Sequence, residues 1–199
     1  MTSIDWNKFW DEKASTYETQ NERNTIAASM VGEGKKVLDI GCGRGDLMEM
    51  LQKDNIVLGM DFSAKMLIHC YKKGLKVLWG EATDIPFEYN PYVDNRFDAV
   101  TALGLIEYLP EDSKFIKEVY RVLKPGGTAI VSFRNELFSK WSGRDFEQER
   151  RSHNPDTVEF PGFKIEEIVF FHEHQPHKFE EEKYYHSGFI VKMVKEKTK

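Results

Sequence analysis

The stretch Val37-Leu38-Asp39-Ile40-Gly41-Cys42-Gly43-Arg44-Gly45 constrains this chain more than any other. Its first half brackets an acid with apolar residues and reads as a strand buried in a parallel sheet. Glycine then recurs at every second position, 41, 43 and 45. Such a run reads as a tight turn whose backbone can approach a ligand closely, because glycine lacks a Cβ and accepts positive φ. The pattern predicts a helix over about residues 46–52, with its first amides facing the same ligand. Strand, glycine turn and helix together predict a nucleotide-type site at the carboxyl edge of an α/β sheet.

The details of the turn select among ligands. The dinucleotide fingerprint needs a further glycine at the position held here by Asp46, so it fails. A phosphate loop needs Lys-Ser or Lys-Thr after its last glycine, and Gly45 is followed by Asp46-Leu47. The acid at the mouth, Asp39, suits a cationic amine better than a pyrophosphate. The D-x-G-x-G-x-G run resembles motif I of the class I S-adenosylmethionine (SAM)-dependent methyltransferases. The resemblance covers about residues 36–133 closely and the flanks loosely. It implies SAM as cofactor, S-adenosylhomocysteine as product, and cofactor contacts from Asp39, Gly41, Cys42 and Gly43.

At 199 residues the chain is long enough for one domain with a single large core. Its 40% hydrophobic and 31% charged residues are ordinary for a globular protein. The net charge of −5 argues against a nucleic-acid groove, which needs excess Lys and Arg. No apolar run approaches the roughly 20 residues that span a bilayer, so no membrane partner is expected. The opening residues lack the pattern of a signal peptide. Cys42 and Cys70 are the only cysteines, and free thiols in a reducing cytoplasm are expected. The chain is expected to be a monomer or homodimer.

Along the chain, Trp6, Phe9, Trp10, Ala14 and Tyr17 share one helical face, and a second helix fits residues 21–31. Strands are expected over 36–40, 56–60, 76–79, 97–102 and 128–133. Between them lie a helix capped by Ser63 and one beginning at Glu111-Asp112-Ser113. Lys124-Pro125-Gly126-Gly127 reads as a helix stop and turn. Strands over about 164–172 and 185–194, with no long helix between them, read as an antiparallel pair. The expected fold is a three-layer, doubly wound α/β sheet of seven mostly parallel strands, with one antiparallel strand near the C-terminus. Residues 1–33 are expected to cover the cofactor site, 36–133 to form the SAM-binding core, and 134–199 to supply acceptor-side elements and the last two strands.

Open α/β sheets bind ligands at the carboxyl ends of their strands. Asp61 ends the second strand, where a carboxylate can accept bonds from both hydroxyls of a ribose; the alternative is a helix-capping acid. The resemblance implies that Phe62 packs on the adenine and that the segment Gly80–Phe87 supplies an acid, Glu81, and the Ala82 amide to its ring. Asp84 competes with Glu81. Met66 either joins Phe62 or reads as core. The resemblance further implies that Leu103 and Gly104 touch cofactor through backbone. Many relatives carry histidine where this chain has Tyr108, which either faces the acceptor or packs under the following helix. Tyr17 and Arg23 are implied candidates for the methionine carboxylate.

His172-x-His174-x-x-His177 invites a metal reading, because His172 and His174 share one face of a strand. No cysteine lies near, and Gln175-Pro176 interrupts the strand, so no metal is expected. A rim of the acceptor pocket, with one histidine as proton acceptor, or a solvated loop are the other readings. The run Glu147–Arg151 reads as solvated charge, and Lys192–Lys199 as a frayed end. The expected activity is methyl transfer from SAM to an O, N or C nucleophile of a small molecule or of a sugar or peptide end. The weak catalytic candidates are Tyr17, Tyr108, His172 and His174. The rivals are a SAM-binding non-catalytic partner, a nicotinamide-dependent oxidoreductase and an RNA methylase.

Overall fold

A computed structural model describes residues 5–16, 21–86, 96–138, 151–172 and 186–196. The strands are β1 (Lys36–Ile40), β2 (Ile56–Asp61), β3 (Val77–Trp79), β4 (Phe97–Ala102), β5 (Leu123–Arg134), β6 (Phe163–Phe171) and β7 (Gly188–Lys195). The helices are α1 (Trp6–Lys13), α2 (Asn21–Val31), α3 (Asp46–Leu51), α4 (Ala64–Lys72) and α5 (Asp112–Val122). All seven strands join one sheet in the order β3-β2-β1-β4-β5-β7-β6. The pairs from β3 through β5 are parallel, and β7 runs antiparallel to both β5 and β6.

The apolar strands follow from burial on two faces. Val37, Val57, Ala99, Ile130 and Ile190 pack against Ala27 of α2, Leu47 and Met48 of α3 and Leu67 of α4. Their neighbours Leu38, Ile40, Val100, Val131 and Val191 face the other way, onto Phe115, Val119 and Val122 of α5. Alternation along each strand makes this division, and helices on both faces make both sets apolar. The strand order reverses between β1 and β4, which opens a crevice at their carboxyl ends.

The helix expected after the glycine turn is found at Asp46–Leu51. Three expectations are corrected. Lys124–Gly127 is not a turn ahead of a strand. Leu123 already pairs with Phe97, and β5 resumes at Thr128 opposite Ala99, so the four residues bulge out of one continuous strand. Lys195 is not part of a frayed tail. It is 5% exposed, and its Nζ donates to the carbonyls of Tyr120 and Leu123 at 2.7 Å each, placing a cation at the negative end of α5. Finally, α1 carries aromatic residues but buries none of them.

Candidate cofactor and acceptor site

The glycine turn is pinned to the end of β2. The amides of Gly41 and Cys42 both donate to the Met60 carbonyl, at 2.8 and 3.0 Å. The Gly43 amide donates to Asp61 Oδ2 at 2.8 Å, and the Ser63 amide to Asp61 Oδ1 at 2.8 Å. Asp61 thus shapes the turn as well as facing the ligand space. Gly43 has φ +54° and nothing within 4 Å of the position a Cβ would take. Gly45, at φ +80°, has no such room: a Cβ there would run into the Leu75 side chain and lie 3.1 Å from Cys70 Sγ. One glycine keeps the ligand side open, and the other lets the turn lie flat on α4.

Around this turn the carboxyl ends of β1 to β4 enclose a cavity of about 380 Å³. It brings together all ten residues expected to hold the cofactor: Asp39, Gly41, Cys42, Gly43, Asp61, Phe62, Glu81, Ala82, Leu103 and Gly104. Arg23 and Asn24 of α2 line it too, as do Met66 and Thr83. Trp6 and Trp10 of α1 close one side, with Leu105, Tyr108, Leu109 and Pro110 beside them.

The electrostatics are those of a partly dehydrated site. Asp39 is 3% exposed and accepts from Thr101 Oγ1 at 2.7 Å. Burial pushes its carboxyl up to about 7; the Thr101 bond and the Arg23 charge oppose this, while the Asp61 charge adds to it. Burial also raises Asp61, against the amides of Ser63 and Gly43 that favour its charged form. The Cys42 thiol is pushed up by its hydrogen bond with Cys70 and by burial, so it stays protonated. Both cysteines are free, and Cys70 Sγ donates to the Gly43 carbonyl at 3.2 Å. Arg23 is buried and lies against the β4 loop, where a Cβ on Gly104 would sit 2.6 Å from its Nη1.

A buried ion pair positions the Glu81–Ala82 loop, and the sequence reading missed it. Glu118 and Arg121 of α5 bond in a fork, with Nε–Oε1 at 2.8 Å and Nη2–Oε2 at 2.6 Å. Glu118 also accepts from the Ile85 amide at 2.9 Å, and Arg121 donates to the Ile85 carbonyl at 3.1 Å. The available signal was an acid three residues after Phe115 and four before Val122, inside an apolar helical stripe. Trp79 Nε1 donates to the Phe62 carbonyl at 2.8 Å, tying the β3 edge to the β2 loop.

The helix α1 is anchored at two points. Asp11 Oδ1 accepts from Ser63 Oγ at 2.6 Å and from the Lys65 amide at 3.2 Å, while Ser63 Oγ caps α4 by accepting from Met66. At the other point Tyr108 meets Trp6 and Trp10 edge to face, with centroids 4.9 and 5.3 Å apart. Tyr108 therefore packs against the N-terminal helix as well as lining the cavity.

Tyr17 and His174 lie outside the described residues. His172 does not line the cavity; its Nδ1 lies 3.2 Å from Ser187 Oγ and its ring packs on Phe138. Among the described residues no group of His, Cys, Asp and Glu has the makings of a metal site. Arg151, read as solvated charge, is instead bonded to Asp112, and its amide and Nη2 donate to the carbonyls of Glu107 and Ile106 at 2.9 Å each. His153 adds a 2.8 Å contact to the same Asp112. Burial would raise the Asp112 carboxyl, but His153 and Arg151 hold it below its ordinary value.

The residues present fit SAM. A carboxylate offers about four lone-pair sites, and the two amides on Asp61 leave sites for ribose hydroxyls. Asp39 and Arg23 supply opposite charges for an amino-acid end, and the open side of Gly43 admits a close approach. A family model described as a methyltransferase domain matches residues 38–131. The ubiquinone biosynthesis O-methyltransferase of Pseudomonas fluorescens (strain SBW25) is 32% identical over 137 residues, covering 63% of this chain and 58% of that relative. The chain thus spans less than two thirds of that relative's length. A Haloferax volcanii protein solved in complex with the Trm112 methyltransferase activator superposes with a TM-score of 0.73 at 17% identity, covering 99% of this chain and 100% of that one. The N-methyltransferase NodS of Bradyrhizobium japonicum, solved with S-adenosylhomocysteine, gives 0.72 at 12% identity, covering 98% and 100%. The solved structures share the fold, and the family model spans the glycine turn and the loops that face it. Over residues 38–131 the chain is similar to the methyltransferase domain family, and its fold is that of solved SAM-dependent methyltransferases.

Proposed function

We propose that this chain transfers a methyl group from SAM to an O, N or C nucleophile of a small-molecule acceptor, as a single domain in which residues 1–33 cover the site, 36–133 hold the cofactor and 134–199 form the acceptor side. The observation that carries this is the cavity at the β1–β4 crevice, where the glycine turn is bonded to Asp61 and faces Asp39 and Arg23. SAM, when bound, supplies a sulfonium methyl already activated for displacement. The work left to the protein is binding, alignment and exclusion of water, and alignment alone is worth ~7–11 kcal/mol in well-oriented systems. Asp61 would hold the ribose, Phe62, Glu81 and Ala82 the adenine, and Arg23 and Asp39 the methionine end. Leu103 and Gly104 would present backbone to the same end. Tyr108 stands at the acceptor side; an acceptor that attacks as a neutral amine needs no base from the protein.

The free thiols of Cys42 and Cys70 suit a reducing cytoplasm. No described helix is long and apolar enough to cross a membrane. The second reading, a SAM-binding partner subunit, draws on the Haloferax neighbour, which was solved with an activator. Calorimetry with S-adenosylhomocysteine, alongside labelled SAM incubated with small-molecule extracts, separates the two. Binding with label transfer supports the enzyme, binding without transfer supports the partner, and absence of binding defeats both.

A further inference from the structure

We infer that the acceptor is a neutral, planar, largely apolar small molecule, held on the ring wall of Trp6, Trp10 and Tyr108. This rests on the methyl-transfer reading above and specifies its acceptor. The charged side chains of the cavity are Arg23, Asp39, Arg44, Asp46, Asp61 and Glu81. Four of them face groups that the donor itself carries: Asp61 and Glu81 the adenosine, Asp39 and Arg23 the amino-acid end. Asp46 is held by Lys73 at 2.8 Å. Arg44 stands between Gly43, whose carbonyl accepts from Cys70 Sγ at 3.2 Å, and Gly45, which packs on Leu75; this puts its backbone on the α4 side of the turn, whereas Tyr108 follows β4.

Of the described lining residues that remain, Trp6, Trp10, Leu105, Tyr108, Leu109 and Pro110 form the wall of α1 and the β4 loop, while Asn24, Leu47, Met66 and Thr83 come from α2, α3, α4 and the loop after β3. None carries a formal charge. The Tyr108 ring meets Trp6 at 70° and Trp10 at 85°, and all three rings are only partly buried, so ring surface is left for a ligand. A flat apolar molecule gains by covering such surface. A charged one gives up hydration there without a counter-charge. Phosphorylated acceptors, free amino acids and charged peptide ends are therefore disfavoured. An ammonium is attracted by ring faces, but among the described residues no carboxylate stands on the wall of α1 and the β4 loop, and an ammonium probe tests this.

Three probes share one ring and differ in charge: 2-naphthol, 2-naphthoate and 2-naphthylmethylammonium. Each is titrated calorimetrically into protein saturated with S-adenosylhomocysteine. Naphthol is expected to bind at least tenfold tighter than either ion. Trp10→Ala is expected to cost naphthol at least tenfold, and Trp10→Phe to restore most of it. Because α1 buries no residue, these variants keep the core intact. Either ion binding as tightly as naphthol, no measurable naphthol binding, or a Trp10→Ala variant that binds it unchanged would overturn the inference. Failure of S-adenosylhomocysteine to bind, seen before any naphthyl probe is added, would instead overturn the methyl-transfer reading and this inference with it.

Discussion

Burial at the end of β1 pushes the Asp39 carboxyl up to about 7, against the Thr101 hydrogen bond that favours its charged form. Between its ordinary value of 3.8 and 7 the folded protein keeps a proton that the unfolded chain has released. The stability from this site is therefore complete at low pH and is lost as pH rises through 7. Asp39→Asn removes that loss, so the variant gains relative to the wild type between pH 5 and pH 8 in urea denaturation. A stability difference independent of pH would show that Asp39 does not titrate in this window. A cationic amine beside Asp39 favours its charged form, so S-adenosylhomocysteine is expected to bind more tightly as pH rises over the same range, releasing a proton. Asp61 carries a different load. Asp61→Ala removes the acceptor of the Gly43 and Ser63 amides as well as the proposed ribose contact, and hydrogen bonds to charged groups are worth about 1.5–3 kcal/mol. Affinity for S-adenosylhomocysteine is expected to fall roughly ten- to a hundredfold, and unchanged calorimetric affinity would remove the ribose assignment.

Two elements position the site from outside it. The helix α1 spans the mouth from the start of α4 to the β4 loop, held by Asp11 on Ser63 at one point and by its tryptophans on Tyr108 at the other. With no buried residue of its own, it depends on these anchors for its place. Asp11→Ala is expected to speed dissociation of S-adenosylhomocysteine several-fold with little change in melting temperature; stopped-flow tryptophan fluorescence reads this, and an unaltered off-rate would mean that the helix needs no latch. The helix α5 acts through the Glu118–Arg121 fork, whose side chains are 8% and 9% exposed. Glu118→Ala leaves Arg121 and the Ile85 amide without their acceptor. Breaking such a buried pair costs about 3–5 kcal/mol, and a much smaller shift in the urea midpoint would show that water substitutes for the carboxylate.

For the whole molecule, a ligand that binds only the folded state adds about 2.7 kcal/mol at a hundredfold excess over Kd. For a chain of this size that corresponds to roughly 5–10 °C of melting temperature. S-adenosylhomocysteine is expected to give this shift and NADH none, which separates the donor reading from the oxidoreductase one in a single thermal experiment. The sheet also explains why so much of the cavity was readable in advance. Parallel strands joined by short loops deliver their C-terminal residues to one edge, so residues that follow strands in the sequence, such as Gly43, Asp61, Ala82 and Gly104, meet in space. Of the side chains that close the cavity from elsewhere, Trp6 and Trp10 were legible only as one face of an amphipathic helix, and Arg23 only through the family resemblance. Periodicity tells that a helix has an apolar face and is silent on what that face meets.

The order of apolar strands and glycine turns, each a local property of a few residues, determined the fold class and the cofactor edge. Gly41, Gly43 and Gly45 carry that signal because backbone sterics act within a residue or two. Tertiary structure decided the rest. It joined Glu118 and Arg121 to Ile85, turned Arg151 from a surface charge into an anchor on Asp112, drew Lys195 under α5, and set the rings of α1 against Tyr108. Each of these unites residues dozens of positions apart, or pairs a charge with a partner that exists only once the chain is packed. Burial and geometry confer these roles, and neither is a property of a residue taken alone.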